Sequence, residues 1–473
     1  MCRRWRRAFV QHAPIWSQLT LTGATDRSLL TTLLERAKQS PLDLTLHDTG
    51  PLIRVVKLLS SFTQQIMSID INHIWEGGIE GLSMAITGPL PLLRTLNVED
   101  NGAPFISAQT SPLFEGAVNL KTFVFSTYRS SWLSRFAFPS LTTFHFFFSG
   151  DDWDELPVSL LLDFLEASPS LQEINLIIAG NMSWEDLLLD RVLVLPHVKD
   201  FCLTFRDNGF SWELATYISC PSAKRVGFGA EPDYGDYIIK DIYPTSPLPW
   251  CAITRQYTTG TIDRVEVQLK MDEKSARFTC SIVFRSSNET TLELFYKHPI
   301  GSGNARDQIL DDEIGSGVFS RASSTIRDHP LLENVRHLCI YNGGLLAGDL
   351  DIAANDVGKL LGSMGPLKKL DLHFCDLRPY LDPFLETPLF PDAIQPTSFP
   401  SIEELRISNP IQSLSDNEAY ATALVKLVKS QHARGTPVEH VTLQPPVPPW
   451  VVEELRLSVS TVEVMLNGSE GQN

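Results

Sequence analysis

The sequence predicts an α/β chain in which a parallel sheet is assembled from short strand-and-helix units along a solenoid. Three observations point there. A phrase of one apolar residue, two polar residues and then apolar-x-apolar recurs along the 473 residues. Its copies stand 21–30 residues apart through the first half. Segments with helical spacing lie between copies.

Clear copies begin at Ile66, Leu93, Leu120, Leu141, Leu171 and Val198, and a weaker one at Ala223, in steps of 27, 27, 21, 30, 27 and 25 residues. Leucine-rich repeats run about 20–29 residues with an LxxLxL strand core, and this period fits them. Later copies begin at Val335, Leu367, Ile402 and Val438, in steps of 32, 35 and 36 residues, and a last one at Val452. Wider steps imply longer helices or loops on the outer face. One unit buries too little apolar surface to stand alone, so neighbours must share a continuous core. The competing reading is a non-repetitive α/β domain, because any buried parallel strand is an apolar run.

The helical segments follow from period and caps. Residues 26–39 place Leu29, Leu30, Leu33, Leu34 and Ala37 on one face behind an Asp26 cap. Residues 157–167 and 417–429 read the same way. The phrase is missing from about 232 to 329. Three strand-like runs at 262–271, 276–285 and 290–296 predict an inserted antiparallel meander that does not continue the parallel sheet. Residues 301–324 are rich in Gly, Ser and Asp and read as a loop open to proteolysis.

Composition limits the function classes. Hydrophobic residues make up 43% and charged residues 20%, enough for a large core. The formal charge of −17 repels phosphate backbones, so nucleic-acid binding is not expected. No run reaches the ~18 apolar residues of a membrane helix. Seven cysteines without a CxxC pair imply reduced thiols in the cytosol or nucleus. The sequons at Asn181, Asn288 and Asn467 then read as chance matches. The basic, acid-free start up to Asp26 leaves a mitochondrial presequence as an alternative.

The first 21 residues carry a further pattern: Cys2-Arg3-Arg4-Trp5, Phe9, then Pro14-Ile15-Trp16. It resembles the end of an F-box, where a Cys-Arg-x-Trp helix precedes a Pro-x-Trp turn. The helix at Leu29 and the Pro41-Leu42-Asp43-Leu44 strand resemble the helix and strand that come after the F-box in fungal F-box proteins with repeats, so the resemblance covers nearly the whole chain. It implies a substrate-recognition subunit of an SCF-type ubiquitin ligase, with an unknown protein substrate and a Skp-type linker and cullin as partners. The Leu-Pro-x-Glu start of an F-box does not precede Met1 in this sequence, so weak linker binding is expected. The alternative is a repeat scaffold without a ubiquitin link. Trp5, Phe9, Pro14 and Trp16 are the linker-binding candidates; the alternative for their helix is a cap on the solenoid's open end.

The resulting division is an F-box end at 1–22, solenoid at 23–231, insertion at 232–330 and solenoid at 331–473. No Walker loop, GxGxxG, GxSxG or HExxH is present, so no enzyme, cofactor or metal is expected. Asp349 and Asp351, and the acidic clusters at 151–155 and 311–313, read as solvated loops, with a basic partner segment as the alternative for the clusters. Within each LxxLxL phrase the alternate residues point outward and line the concave sheet. The partner-binding candidates are Asn97, Glu99, His145, Phe147, Asn175, Arg206, Tyr341, His373 and Arg406, beside Glu173, Asp200, Asp371 and Glu404. Phe147 and Tyr341 are aromatic anchors of the kind interfaces favour. Phe147 could equally pack under a neighbouring loop.

Overall fold

The computed structural model describes residues 12–22, 24–47, 58–74, 88–100, 113–114, 116–150, 154–185, 191–205, 212–230, 262–272, 277–286, 290–299, 334–343, 367–373, 400–408 and 418–465, and single residues at 3, 10, 86, 361, 381 and 414. Trp5, Phe9, Arg206, Asp349, Asp351 and the segments 151–153, 301–324 and 311–313 lie outside these. The chain divides into two compact units, 1–223 and 224–473.

Among the described residues, the main sheet of the first unit has eight parallel strands: β1 (Gln18–Leu21), β2 (Leu42–His47), β3 (Ile66–Ile74), β4 (Thr95–Asp100), β5 (Thr122–Thr127), β6 (Thr143–Phe148), β7 (Glu173–Ile178) and β8 (Asp200–Phe205). They pair in chain order, each with the next. Alternation decides which side faces the core. In β4, β5 and β6 every second residue is buried. Register then aligns these residues into rows. One row runs Leu19, Leu44, Ile69, Leu96, Phe123, Phe144, Ile174, Phe201. The five residues of this row from Leu96 to Phe201 are therefore stacked, as their common phrase position requires. Phenylalanine concentrates where β5 and β6 meet. The ring of Phe123 lies 5.8 Å from that of Phe144 and 4.9 Å from that of Phe136.

A backbone device repeats beneath this row. The first apolar residue of a phrase closes a four-residue turn, as in Leu93 N–H to Leu90 O, Leu141 to Phe138 O and Leu171 to Ser168 O. The next carbonyl then accepts two N–H groups from the following unit. Lys121 O accepts from Thr142 and Thr143, and Thr142 O accepts from Gln172 and Glu173. Each unit thereby sets the register of its successor before the strand begins.

Among the described residues, helices are fewer than the spacing led us to expect. Four have their bounds among the described residues: α1 (Arg27–Ala37), α2 (Val158–Glu166), α3 (Glu418–Ala433) and α4 (Pro449–Arg456). Elsewhere short 3-10 turns serve, at Ser60–Gln65, Ser130–Arg135 and Trp212–Thr216. A 21-residue step is too short for a strand, two turns and an α-helix. The Asp26 cap is as expected, its carboxylate accepting from Ser28 N–H at 2.6 Å. Hydrogen bonding to the Ser28 side chain, and then to its backbone N–H, holds the Asp26 carboxyl below its ordinary pKa. Leu29, however, is exposed, and only Leu30, Leu34 and Ala37 of that face are buried.

The second unit contains β9 (Arg225–Ala230), β10 (Ile262–Asp272), β11 (Arg277–Ser286), β12 (Thr291–Pro299), β13 (His337–Gly343), β14 (Lys369–His373), β15 (Glu404–Ser408), β16 (His440–Leu443) and β17 (Thr461–Val464). Its order is β9-β12-β11-β10-β13-β14-β15-β16-β17. Strands β10, β11 and β12 form the expected antiparallel meander. The expectation that it stands apart from the parallel sheet is overturned. β12 pairs parallel with β9, and β10 pairs parallel with β13. Three strands restore the starting direction, so an up-down-up meander can join a parallel ladder at both of its edges.

β10 proves to be a copy of the repeat. Ile262-Asp-Arg-Val265-Glu-Val267 has the phrase, and Val265 and Val267 align with Leu338 and Ile340. Asp263 O accepts from Arg336 N–H, just as Arg336 O accepts from Lys368 and Lys369. Conversely, the copy at Val452 is no strand. It lies in α4, where Val451 and Leu455 are buried one turn apart and Leu457 is 77% exposed. Apolar residues three or four apart suit a helix as well as this phrase, and Pro449 at the first helical position decides for the helix. The last ladder strand is β17.

Candidate functional site

The alternate, outward residues of the ladder strands form rows of their own. In the first unit one row runs Thr20, Thr45, Asp70, Asn97, Val124, His145, Asn175, Cys202. The next contains Glu99, Ser126, Phe147, Ile177 and Thr204. Asn97, His145 and Asn175 thus share one row, and Glu99 and Phe147 share another, as the phrase positions predict. All five side chains are half-buried. Asn97 donates its amide N–H to Asp70 Oδ1 at 2.8 Å, and Asn72 donates to Oδ2 of the same carboxylate at 3.3 Å. His145 Nε2 lies 3.2 Å from Glu173 Oε1. These are side-chain ladders, in which each residue is held by its cross-strand neighbour.

Among the candidates at the chain start, Pro14 and Trp16 belong to a 3-10 turn, Ala13–Trp16. Trp16 donates its indole N–H to Val10 O at 3.2 Å, and the Arg36 guanidinium of α1 lies 4.8 Å above its ring. The next strand in the chain is β1, the first of the ladder. Asp154, in one of the acidic clusters, is half-buried and accepts from Ser130 Oγ at 2.8 Å, so it ties two loops together instead of standing in solvent.

In the second unit the outward rows carry charge. One runs Arg264, His337, Lys369, Glu404, His440, Thr461. The next runs Glu266, Cys339, Asp371, Arg406, Thr442, Glu463. A third holds Gln268, Tyr341, His373 and Ser408. Tyr341 and His373 are ring neighbours with centroids 6.3 Å apart, and Arg406 is exposed with a guanidinium N–H on Met465 Sδ at 3.6 Å.

Four side chains of these rows are nevertheless buried: Glu266, Cys339, Asp371 and Ser408. Asp371 was expected to line an open face and does not. Glu266 is the best satisfied. Its Oε1 accepts from Arg264 and from Arg285 Nε, both at 2.8 Å, and its Oε2 accepts from Arg285 at 3.2 Å and Gln268 at 3.1 Å. Burial acts to raise its pKa, but the Arg285 hydrogen bonds and the two guanidinium charges outweigh it, and the carboxyl lies below its ordinary value. Asp371 behaves alike. Burial raises it; the His337 hydrogen bond, then the charges of His337, Lys369 and His373, bring it lower than usual. His337 Nε2 lies 2.9 Å from Asp371 Oδ2. Asp371 Oδ1 has no hydrogen-bond partner. Burial, then the Asp371 and Glu266 carboxylates, push the Cys339 thiol up to about 11.

Cys339, Asp371 and His373 also form the one group among the described residues able to present three metal-ligating side chains together. From the sequence, His373 and Asp371 stand out only as outward residues, and Glu266, Cys339, His337 and Arg285 do not stand out at all. The Ile262 phrase would have placed Glu266. Arg285 comes from the reversed strand β11 and has no phrase to betray it. In comparison with known proteins, the chain matches no family model and no curated sequence.

Proposed function

We propose that this chain is a non-catalytic protein-binding repeat protein of the leucine-rich-repeat solenoid type, and that it serves as a substrate-recognition subunit of an SCF-type ubiquitin ligase. The observation that carries the binding reading is the set of outward rows. Polar, charged and aromatic residues stand at most outward positions of successive parallel strands, and several are tied to cross-strand neighbours. Such an array is preorganised, so a partner meets side chains whose rotamer freedom is already reduced. The solenoid type is supported by the repeated turn and shared carbonyl that link one unit to the next. The ligase role rests on the resemblance of residues 1–21 to the end of an F-box.

A second reading has its own support. Trp16 is bound to Val10 and covered by Arg36, and β1 is paired to β2. This suits a cap on the first repeat of a scaffold with no ubiquitin link. Affinity capture separates the two. The wild-type chain and a His145→Ala, Phe147→Ala, Tyr341→Ala variant are expressed as full chains, and bound proteins are compared. Recovery of a further protein with the wild type alone, and of a Skp-type linker and cullin with both chains at the low yield that weak linker binding gives, is the expected result. Absence of linker and cullin leaves the scaffold reading. Identical recovery of every protein by both chains overturns binding through the outward rows.

A further inference from the structure

We infer that the outward rows of the second unit hold a site for a divalent transition metal of the zinc class, with Cys339, Asp371 and His373 as its protein ligands. One ligand atom from each lies within 4.8 Å of the others. The topology makes this grouping. Cys339 on β13 is the register partner of Asp371 on β14. His373 is two residues further along β14, on the same face, because side chains alternate along a strand.

A second observation points to a ligand. Asp371 is only 5% exposed, yet its Oδ1 has no hydrogen-bond partner. Its Oδ2 is engaged, with His337 Nε2 at 2.9 Å and Lys369 Nζ at 3.9 Å. One oxygen is thus held while the other remains available, as in ligating carboxylates that are oriented through their second oxygen. Ser408, the register partner of His373, likewise has a buried Oγ without a partner. A buried polar atom left unmatched calls for an explanation, and a bound ion is one that suits both atoms at once.

Donor chemistry selects the ion. One sulfur, one imidazole nitrogen and one carboxylate oxygen suit zinc and its neighbours, whereas calcium and magnesium take oxygen ligands. Tetrahedral bonds of zinc length place ligand atoms about 3.5 Å apart, so the group must close by roughly 1 Å. On binding, Cys339 releases its proton to solvent as the sulfur–metal bond forms, and no electron is transferred. Thiolate and carboxylate together balance the dication. Three protein ligands leave a fourth position for water or for a donor from a bound partner.

The test uses the full chain and cobalt(II), whose thiolate complexes absorb in the near ultraviolet. A sulfur-to-cobalt band that saturates at one ion per chain and is displaced by zinc is expected. Cys339→Ser should abolish it, and His373→Ala should weaken cobalt binding at least tenfold. Cys202→Ser should leave the band unchanged. Far-ultraviolet circular dichroism checks the fold of each variant, and if Cys339→Ser fails to fold, His373→Ala decides alone. No band in the wild type, a band that survives Cys339→Ser, or unaltered affinity in His373→Ala would overturn the site.

Discussion

The two units use one backbone device to carry two different surfaces. In both, several strands begin from a carbonyl that accepts two N–H groups of the next unit, and both align an apolar row behind it. In the first unit the inward rows are enlarged with phenylalanine, and the outward rows are largely Thr, Asn and Ser with a few carboxylates. In the second unit the inward row from β10 to β17 is aliphatic, Val265, Leu338, Leu370, Leu405, Val441 and Val462, while the outward rows mix acids and bases and bury part of that charge. The difference teaches that inward residues and turn carbonyls determine the ladder, and that outward positions are free to diverge. Binding chemistry can change along the chain without disturbing the strands that present it.

The largest expected effect falls on the first unit. Phe123 is fully buried and its ring meets those of Phe125, Phe136, Phe138 and Phe144. Phe123→Ala should destabilise it by about 3–5 kcal/mol, read by denaturant unfolding of the full chain. A loss below about 1 kcal/mol would mean the aromatic row is not what holds these strands. Next, Ile262→Ala tests whether β10 is a true repeat strand. A loss of about 2–5 kcal/mol is expected, comparable with Leu367→Ala, because each is buried at the first apolar position of its phrase. A much smaller loss at 262 would make the meander an accessory to the ladder.

Glu266→Gln sharpens the electrostatic side of the contrast. Arg264 and Arg285 are 40% and 45% exposed, so solvent screening limits the loss to about 1–2 kcal/mol. The sign with pH follows from its lowered pKa. The wild-type carboxylate contributes stability above the ordinary Glu value of about 4.3 and loses it as pH falls through the lower folded value. Acid should therefore narrow the gap between wild type and Glu266→Gln, as measured by unfolding midpoints from pH 7 to pH 3. A gap that widens in acid would contradict the ion cluster. The smallest effect is expected at His145, an outward residue of the first unit. His145→Ala should change stability by less than about 0.5 kcal/mol. A larger loss would show that the outward ladder supports the sheet as well as facing a partner.

Much of the ladder was legible because its cause is local. Leu96, Phe123, Phe144, Ile174 and Phe201 announce their row by phrase position alone, and Asp26 announces the start of α1. Val452 misled because a spacing of three serves a helix and a strand phrase equally. Leu29 misled because an apolar residue at the margin of a helix face is not bound to be covered. The candidate site was legible only in part. Asn97, His145, Asn175, Tyr341 and His373 follow from alternation, but nothing in a single strand says which neighbour it will face.

By itself, the sequence determined most of the strand positions, their inward and outward faces and the antiparallel nature of the meander, since these follow from alternation and turn chemistry within a few residues. Only the tertiary structure decided that β12 joins β9 and β10 joins β13, that Arg285 reaches Glu266 from a reversed strand, and that Cys339 meets Asp371 across 32 residues of chain. Register between strands is set by packing and by hydrogen bonds to a neighbour distant in sequence, so the chemistry that depends on register emerges only when the strands are assembled.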